Sequence, residues 1–173
     1  MKRRFLILPI LLLSAFGVFG QTENAVKRTE FGLLTCNYFN ILVLGAYKDY
    51  KKLPEAELYV VYYEGKSEEI SVWNKQKNVE EKKFLRPKRG NARNRAEEVP
   101  LFLQAVYQLP KEKVILVDGG YRENLTIEIW LVPKGAAPPE TVSTVDGKDM
   151  KFAKGKPSPP RSCAYGDNPF IAY

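Results

Sequence analysis

The hydrophobic period changes repeatedly between residues 36 and 132, and this alternation narrows the possible folds more than any other feature of the chain. Phe39, Leu42, Val43, Ala46 and Tyr50 recur at offsets of three, four and seven, which predicts a helix with one buried stripe over 36–52. Lys51 and Lys52 suit the carbonyl end of the helix dipole, and Pro54 stops it. Residues 58–63, Leu-Tyr-Val-Val-Tyr-Tyr, read as a strand buried on both faces and ended by Gly65. Ala92, Ala96, Val99, Leu103 and Val106 then step by four, three, four and three, which predicts a second helix over 91–108. Pro100 inside it would remove the backbone bond to Ala96, so a kink or a start nearer Glu98 is expected. Residues 114–117, Val-Ile-Leu-Val, read as a buried strand, and 126–132 alternate up to Pro133. Asp118-Gly119-Gly120 reads as the turn between these two strands. Strand, crossover helix, strand implies a right-handed parallel βαβ unit, with the last strand returning antiparallel. The expected class is therefore α+β, a two-layer sandwich of helices on a small mixed sheet containing one βαβ unit. Residues 66–90 are dense in Lys and Glu and hardest to read; only Ile70-Ser71-Val72-Trp73 alternates, as an extra edge strand would.

The amino terminus sets the compartment. Lys2, Arg3 and Arg4 precede an apolar stretch over 5–16, broken only by Pro9 and Ser14, and Gly17-Val18-Phe19-Gly20 supplies a small-residue exit before Gln21. That is the layout of a secretory signal peptide, implying a secreted or periplasmic protein. The alternative is a membrane anchor, for which roughly sixteen apolar residues are short. With 173 residues one domain is expected. Its parts are a signal peptide over 1–20, a polar tail or short leading element over 21–30, the α+β domain over 31–135 and a Pro-rich tail over 136–173. The leader carries three cations and no acid, so its removal lowers the net charge from +7 to +4. Cys36 and Cys163 both lie beyond the leader. In an oxidising compartment they most simply form one disulfide, fastening the tail to the first helix; two buried thiols are the alternative.

The absence of histidine removes Ser-His-Asp and Cys-His nucleophilic sites and histidine-ligated zinc or haem. Two cysteines cannot build a Cys₄ zinc site, and no cofactor or metal is expected. Val117 to Glu123 read VDGGYRE, and Glu128 to Pro139 read EIWLVPKGAAPP. With Arg95-Ala96 on the preceding helix, this pattern resembles a group of uncharacterised secreted bacterial proteins. More distantly, the layout resembles the outer-membrane-protein-A-like peptidoglycan-associated domain. That second resemblance implies a cell-wall ligand held by an Asp after the strand that is here 58–63 and by a helix arginine. Arg95 matches the arginine, but the turn is Glu64-Gly65-Lys66, with neither the His nor the Asp.

Candidate binding residues are thus Arg95, Arg93 and Arg122, within or beyond a basic run of Lys82, Lys83, Arg86, Lys88, Arg89, Arg93 and Arg95. Only Phe84 interleaves that run with an aromatic, so a nucleic-acid platform is not expected. A solvated loop, or contact with peptidoglycan or another anionic envelope polymer, fits it better. No transmembrane span is expected once the leader is removed. Asp118, Glu123 and Glu128 flank one presumed turn and could form a carboxylate pair for glycoside chemistry. The plainer reading makes them a turn residue, a solvated residue and a sheet-face residue. Three functions therefore compete: a non-catalytic envelope-associated domain, a peptidoglycan or anionic-glycan binder, and a carboxylate-only hydrolase. The first is preferred, with no enzymatic activity expected.

Overall fold

The computed structural model describes residues 24–53 and 55–165. The signal-peptide reading concerns residues outside these. In chain order the elements are β1 (Val26–Phe31), α1 (Cys36–Tyr50), β2 (Glu57–Asn74), β3 (Val79–Leu85), α2 (Asn91–Tyr107), β4 (Val114–Asn124) and β5 (Thr126–Val132). The polar stretch over 21–30 thus contains most of β1.

Strand pairing overturns the expected sandwich of helices on a small mixed sheet. Five strands form a sheet in the order β1-β5-β2-β3, with β4 also pairing β2. Three of the four pairings are antiparallel, β1 with β5, β2 with β3 and β2 with β5; only β2 with β4 is parallel. The described chain is mostly antiparallel sheet, and two α-helices accompany it among the described residues. The connection from β2 to β4 contains an antiparallel hairpin arm as well as α2, so it is not the simple βαβ unit expected.

Two glycine readings caused the error. Gly65 does not end β2, which runs 18 residues. It lies where a Cβ would collide with the Leu125 backbone, so glycine serves the close passage of the β4–β5 connection. Gly119 and Gly120 do not reverse the chain either; they lie inside β4, and the reversal comes at Leu125. Pro100 is carried within a helix that begins at Asn91 rather than near Glu98.

The core is continuous between the helices and one face of the sheet. Phe39, Val43 and Ala46 of α1 meet Ala92, Ala96, Val99 and Leu103 of α2 over Leu58, Val60, Ile127, Ile129 and Leu131. Phe39 makes edge-to-face contacts with both Phe31 and Phe102. The opposite sheet face is closed as well: Val61, Tyr63, Glu128 and Val132 are all buried. Residues 142–147 pass along β4 there, with the Thr144 and Val145 amides donating to the Tyr121 carbonyl at 2.9 and 3.2 Å.

Candidate functional site

Strand alternation puts Tyr59, Val61 and Tyr63 of β2 on the second sheet face, opposite Trp130, Glu128 and Thr126 of β5. Glu128, 2% exposed, is the centre of a charge cluster on that face. Two irregularities aim its partners. The β2–β4 register shifts between Tyr62 and Glu64, where Gly119 and Gly120 together oppose Tyr63, and Gly120 takes φ +88°. This bulge reverses the parity of β4 and turns Arg122 towards Glu128. A second shift in β1, between Lys27 and Thr29, places both Lys27 and Glu30 on the same face.

Glu128 then accepts four donors. Trp130 Nε1 lies at 2.9 Å, Arg122 Nη2 at 3.0 Å, and Lys27 Nζ and the Tyr63 hydroxyl at 3.3 Å. The Arg122 guanidinium also stacks 3.5 Å from the Tyr63 ring centroid. Burial alone would raise the Glu128 pKa, but the Trp130 bond and the charges of Arg122 and Lys27 outweigh it and hold the carboxyl below the ordinary value. This is a satisfied structural carboxylate, ill suited to donate a proton.

The other two presumed catalytic carboxylates are separately engaged. Asp118 accepts the Gly120 amide at 2.9 Å across the bulge, and Glu123 pairs with Lys66 at 2.8 Å. Among the described residues no group of three or more His, Cys, Asp or Glu is placed to hold a metal.

The candidate arginines do not converge. Arg122 lies under the second sheet face. Arg95 is committed to Glu98, 2.6 Å away on its own helix, and Arg93 to Glu97 at 3.3 Å. Glu64, which stands where the peptidoglycan-binding pattern has its turn, lies inside β2 and serves α2 instead. Its carboxylate accepts the Gly90 and Ala92 amides at 2.6 and 3.4 Å, capping a helix whose own N-cap residue, Gly90, offers no side chain.

The cysteines do converge. Cys36 and Cys163 form a disulfide with Cα atoms 5.1 Å apart. Beside it, Glu98 is 2% exposed and receives Arg161 Nε and Nη2 at 3.1 and 3.0 Å plus the Arg161 amide at 3.0 Å. Arg161 also donates to the Leu34 carbonyl at 2.8 Å. This tie explains why Glu98 is buried on α2, something no periodicity could indicate.

The same docking builds a surface that sequence reading missed. The Ala153 amide donates to the Pro87 carbonyl at 2.8 Å, Lys88 and Ala153 form a parallel bridge, and Phe152 lies under Arg89 at 4.6 Å. Further on, Ser158 exchanges bonds with Asn91 and Asn94 at 3.0 and 2.7 Å. Residues 151–158 therefore run beside 86–94. Arg86, Lys88 and Arg89 are brought next to Lys151, Lys154 and Lys156, and all but the half-buried Lys88 are exposed. Some lysines elsewhere find carboxylates, as Lys82 does with Glu69 and Lys134 with Glu55. Among the described residues none of these six does, and what sets them apart from other unpaired lysines such as Lys48 or Lys111 is that two segments bring them together. The segments lie more than sixty positions apart in sequence, so the basic run read from 82–95 was half of the feature.

A groove of about 560 Å³ lies at the other end of the sheet, between Glu55, Glu57, Glu112, Lys113 and Lys134. None of the sequence-predicted site residues lines it. No described helix is long and apolar enough to cross a membrane. Comparison of the chain with protein-family models, curated proteins and solved structures gives no match.

Proposed function

We propose that the protein is a secreted or periplasmic, non-catalytic domain that binds an anionic polymer of the cell envelope through the basic shoulder of residues 86–89 and 151–156. The observation that carries this reading is six cations, unpaired among the described residues, on two segments held side by side. Gathering like charges without counter-charges costs stability through self-repulsion, and an anionic ligand offsets that cost. The exported location rests on the leader and is compatible with the disulfide. The pairing of Arg95 with Glu98 and the capping role of Glu64 favour recognition by this shoulder over the arginine-and-aspartate clamp of peptidoglycan-associated domains. The separate engagement of Asp118, Glu123 and Glu128 argues against the hydrolase reading.

The test is co-sedimentation with purified cell wall at low salt and at about 0.5 M salt, where exposed charges are screened within a few ångströms. Binding at low salt, release at high salt, and loss in an Arg86→Glu/Lys154→Glu variant that melts like wild type are expected. Retention indifferent to both salt and substitution would reject the proposal.

A further inference from the structure

The second half of β2 leaves the sheet. Its last partner in β4 is Asn124, opposite Ser67; from Glu68 onward it pairs only with β3, from Glu68↔Leu85 to Asn74↔Val79. The result is a two-stranded arm with solvent on both faces. β3 ends the strand order, so its outer edge has no partner among the described residues. Yet the arm exposes Trp73, Val79, Phe84 and Leu85 by 57, 45, 65 and 47%. An isolated two-stranded hairpin is marginal in water, and a free edge leaves backbone donors and acceptors open to further pairing, which its charges make selective for a partner that complements them.

The sequence of β3, Val-Glu-Glu-Lys-Lys-Phe-Leu, indicates what pairs there. In an antiparallel pair of identical strands related by a two-fold axis, opposed residues point to the same side, so one residue must sit on the axis. With Lys82 on the axis, Glu81 opposes the second copy's Lys83 twice over and Val79 opposes Leu85 twice over, while Glu80 lies opposite Phe84. Lys82 faces its own copy, but each is already neutralised by Glu69 of its own arm at 2.6 Å. Moving the axis to Glu81 sets Glu80 against Lys82, but opposes two glutamates and sets Val79 against Lys83. Moving it to Lys83 opposes two lysines and sets Glu81 against Leu85. Only the register centred on Lys82 combines opposite-charge pairs with an apolar pair.

We propose that the arm is a dimerisation element, in which β3 pairs antiparallel with β3 of a second copy about Lys82, giving a four-stranded sheet shared by two molecules. The Glu81–Lys83 pairs lie flanked by Val72 and Ile70, which oppose them on β2, so they are partly shielded from water when the dimer forms.

Sedimentation velocity on the purified protein up to about 100 µM tests this. Wild type should sediment as a concentration-dependent dimer. Lys83→Glu, at an exposed position, replaces two attractive pairs with two repulsive ones and should weaken the dimer by about tenfold or more. Glu81→Lys should do the same, although it also loses bonds from Asn74 and Lys77. An equimolar mixture of the two variants restores opposite charges at both positions and should recover the dimer. Monomeric wild type, a Lys83→Glu dimer of undiminished strength, or a mixture that stays monomeric would each overturn the proposal.

Discussion

Gly119 decides where Arg122 points. A Cβ there would collide with the Tyr63 ring, which itself carries the Arg122 guanidinium. Gly119→Ala should therefore cost about 2–3 kcal/mol through overpacking and disturb the Glu128 cluster, as a lowered melting temperature with altered near-ultraviolet Tyr and Trp signals would report. Arg122→Met removes the principal cation from a buried carboxylate and should cost about 3 kcal/mol at neutral pH. The pH dependence has a definite sign. Because the folded Glu128 carboxyl is held below its ordinary value of 4.5, its contribution is present above that value and lost as pH falls through the depressed one. The stability gap between wild type and Arg122→Met should thus narrow on acidification; a gap that is unchanged from pH 7 to pH 3 would contradict the ion-pair account. Little of this was legible beforehand. Asp118-Gly119-Gly120 has the composition of a turn, and the same residues serve a bulge, in which Gly120 takes a positive φ and Gly119 leaves room for the Tyr63 ring. The alternation of β5 did place Trp130 with Glu128 on one face, since that inference needs only period two.

At the scale of elements, legibility followed burial. The stripe of α1 has a dry side and a wet side, and β5 alternates apolar with polar residues although both of its faces are covered. Their observed spans match the sequence reading at both ends of β5 and within two residues for α1. The second half of β2 and all of β3 have no dry side, so only the short alternation from Ile70 to Trp73, read as an extra edge strand, marks them; it lies within β2 and pairs with β3. Their charged composition reads as loop. The start of α2 at Asn91 matches the periodicity over 91–108, and the later start near Glu98 that Pro100 suggested is not seen. The cap itself comes from Glu64, 26 residues before Gly90, where no local signal exists. Burial is the largest influence on Glu64 and raises its pKa against the opposing Gly90 and Ala92 amides. A raised carboxyl favours the folded state fully below the ordinary 4.5, and that contribution is lost as pH rises through the raised value. Glu64→Gln should accordingly be tolerated near neutral pH better than Glu64→Ala, because the amide oxygen still accepts the shorter of the two bonds, from the Gly90 N–H. Glu64→Ala should cost about 1–2 kcal/mol by uncapping α2. Urea denaturation of both variants at pH 7 separates the outcomes; equal losses would remove the capping role.

At the scale of the whole molecule, the carboxy-terminal segment works as a strap. It borders β4 on one side of the sheet and reaches α1 and α2 on the other, ending among the described residues at Cys163 and Tyr165. Closing a 127-residue loop is worth up to about 4–5 kcal/mol in the chain-entropy model. Cys163→Ser should therefore lower stability by a few kcal/mol, and limited proteolysis should cut first between residues 136 and 162; cleavage elsewhere at the same rate as wild type would contradict a fastened strap. Arg161→Ala leaves the buried Glu98 with Arg95 alone and should weaken the same attachment, by about 2–3 kcal/mol. The strap also couples the fold to the proposed binding surface, because it carries half of the basic shoulder. The decisive measurement is the affinity for a defined anionic glycan across a salt series, with the charges of residues 86–89 and of 151–156 neutralised in separate variants. If the two segments form one surface, either neutralisation should reduce both the affinity and its salt dependence to a similar degree. Full affinity after neutralising 151–156, with the loss confined to 86–89, would contradict the account.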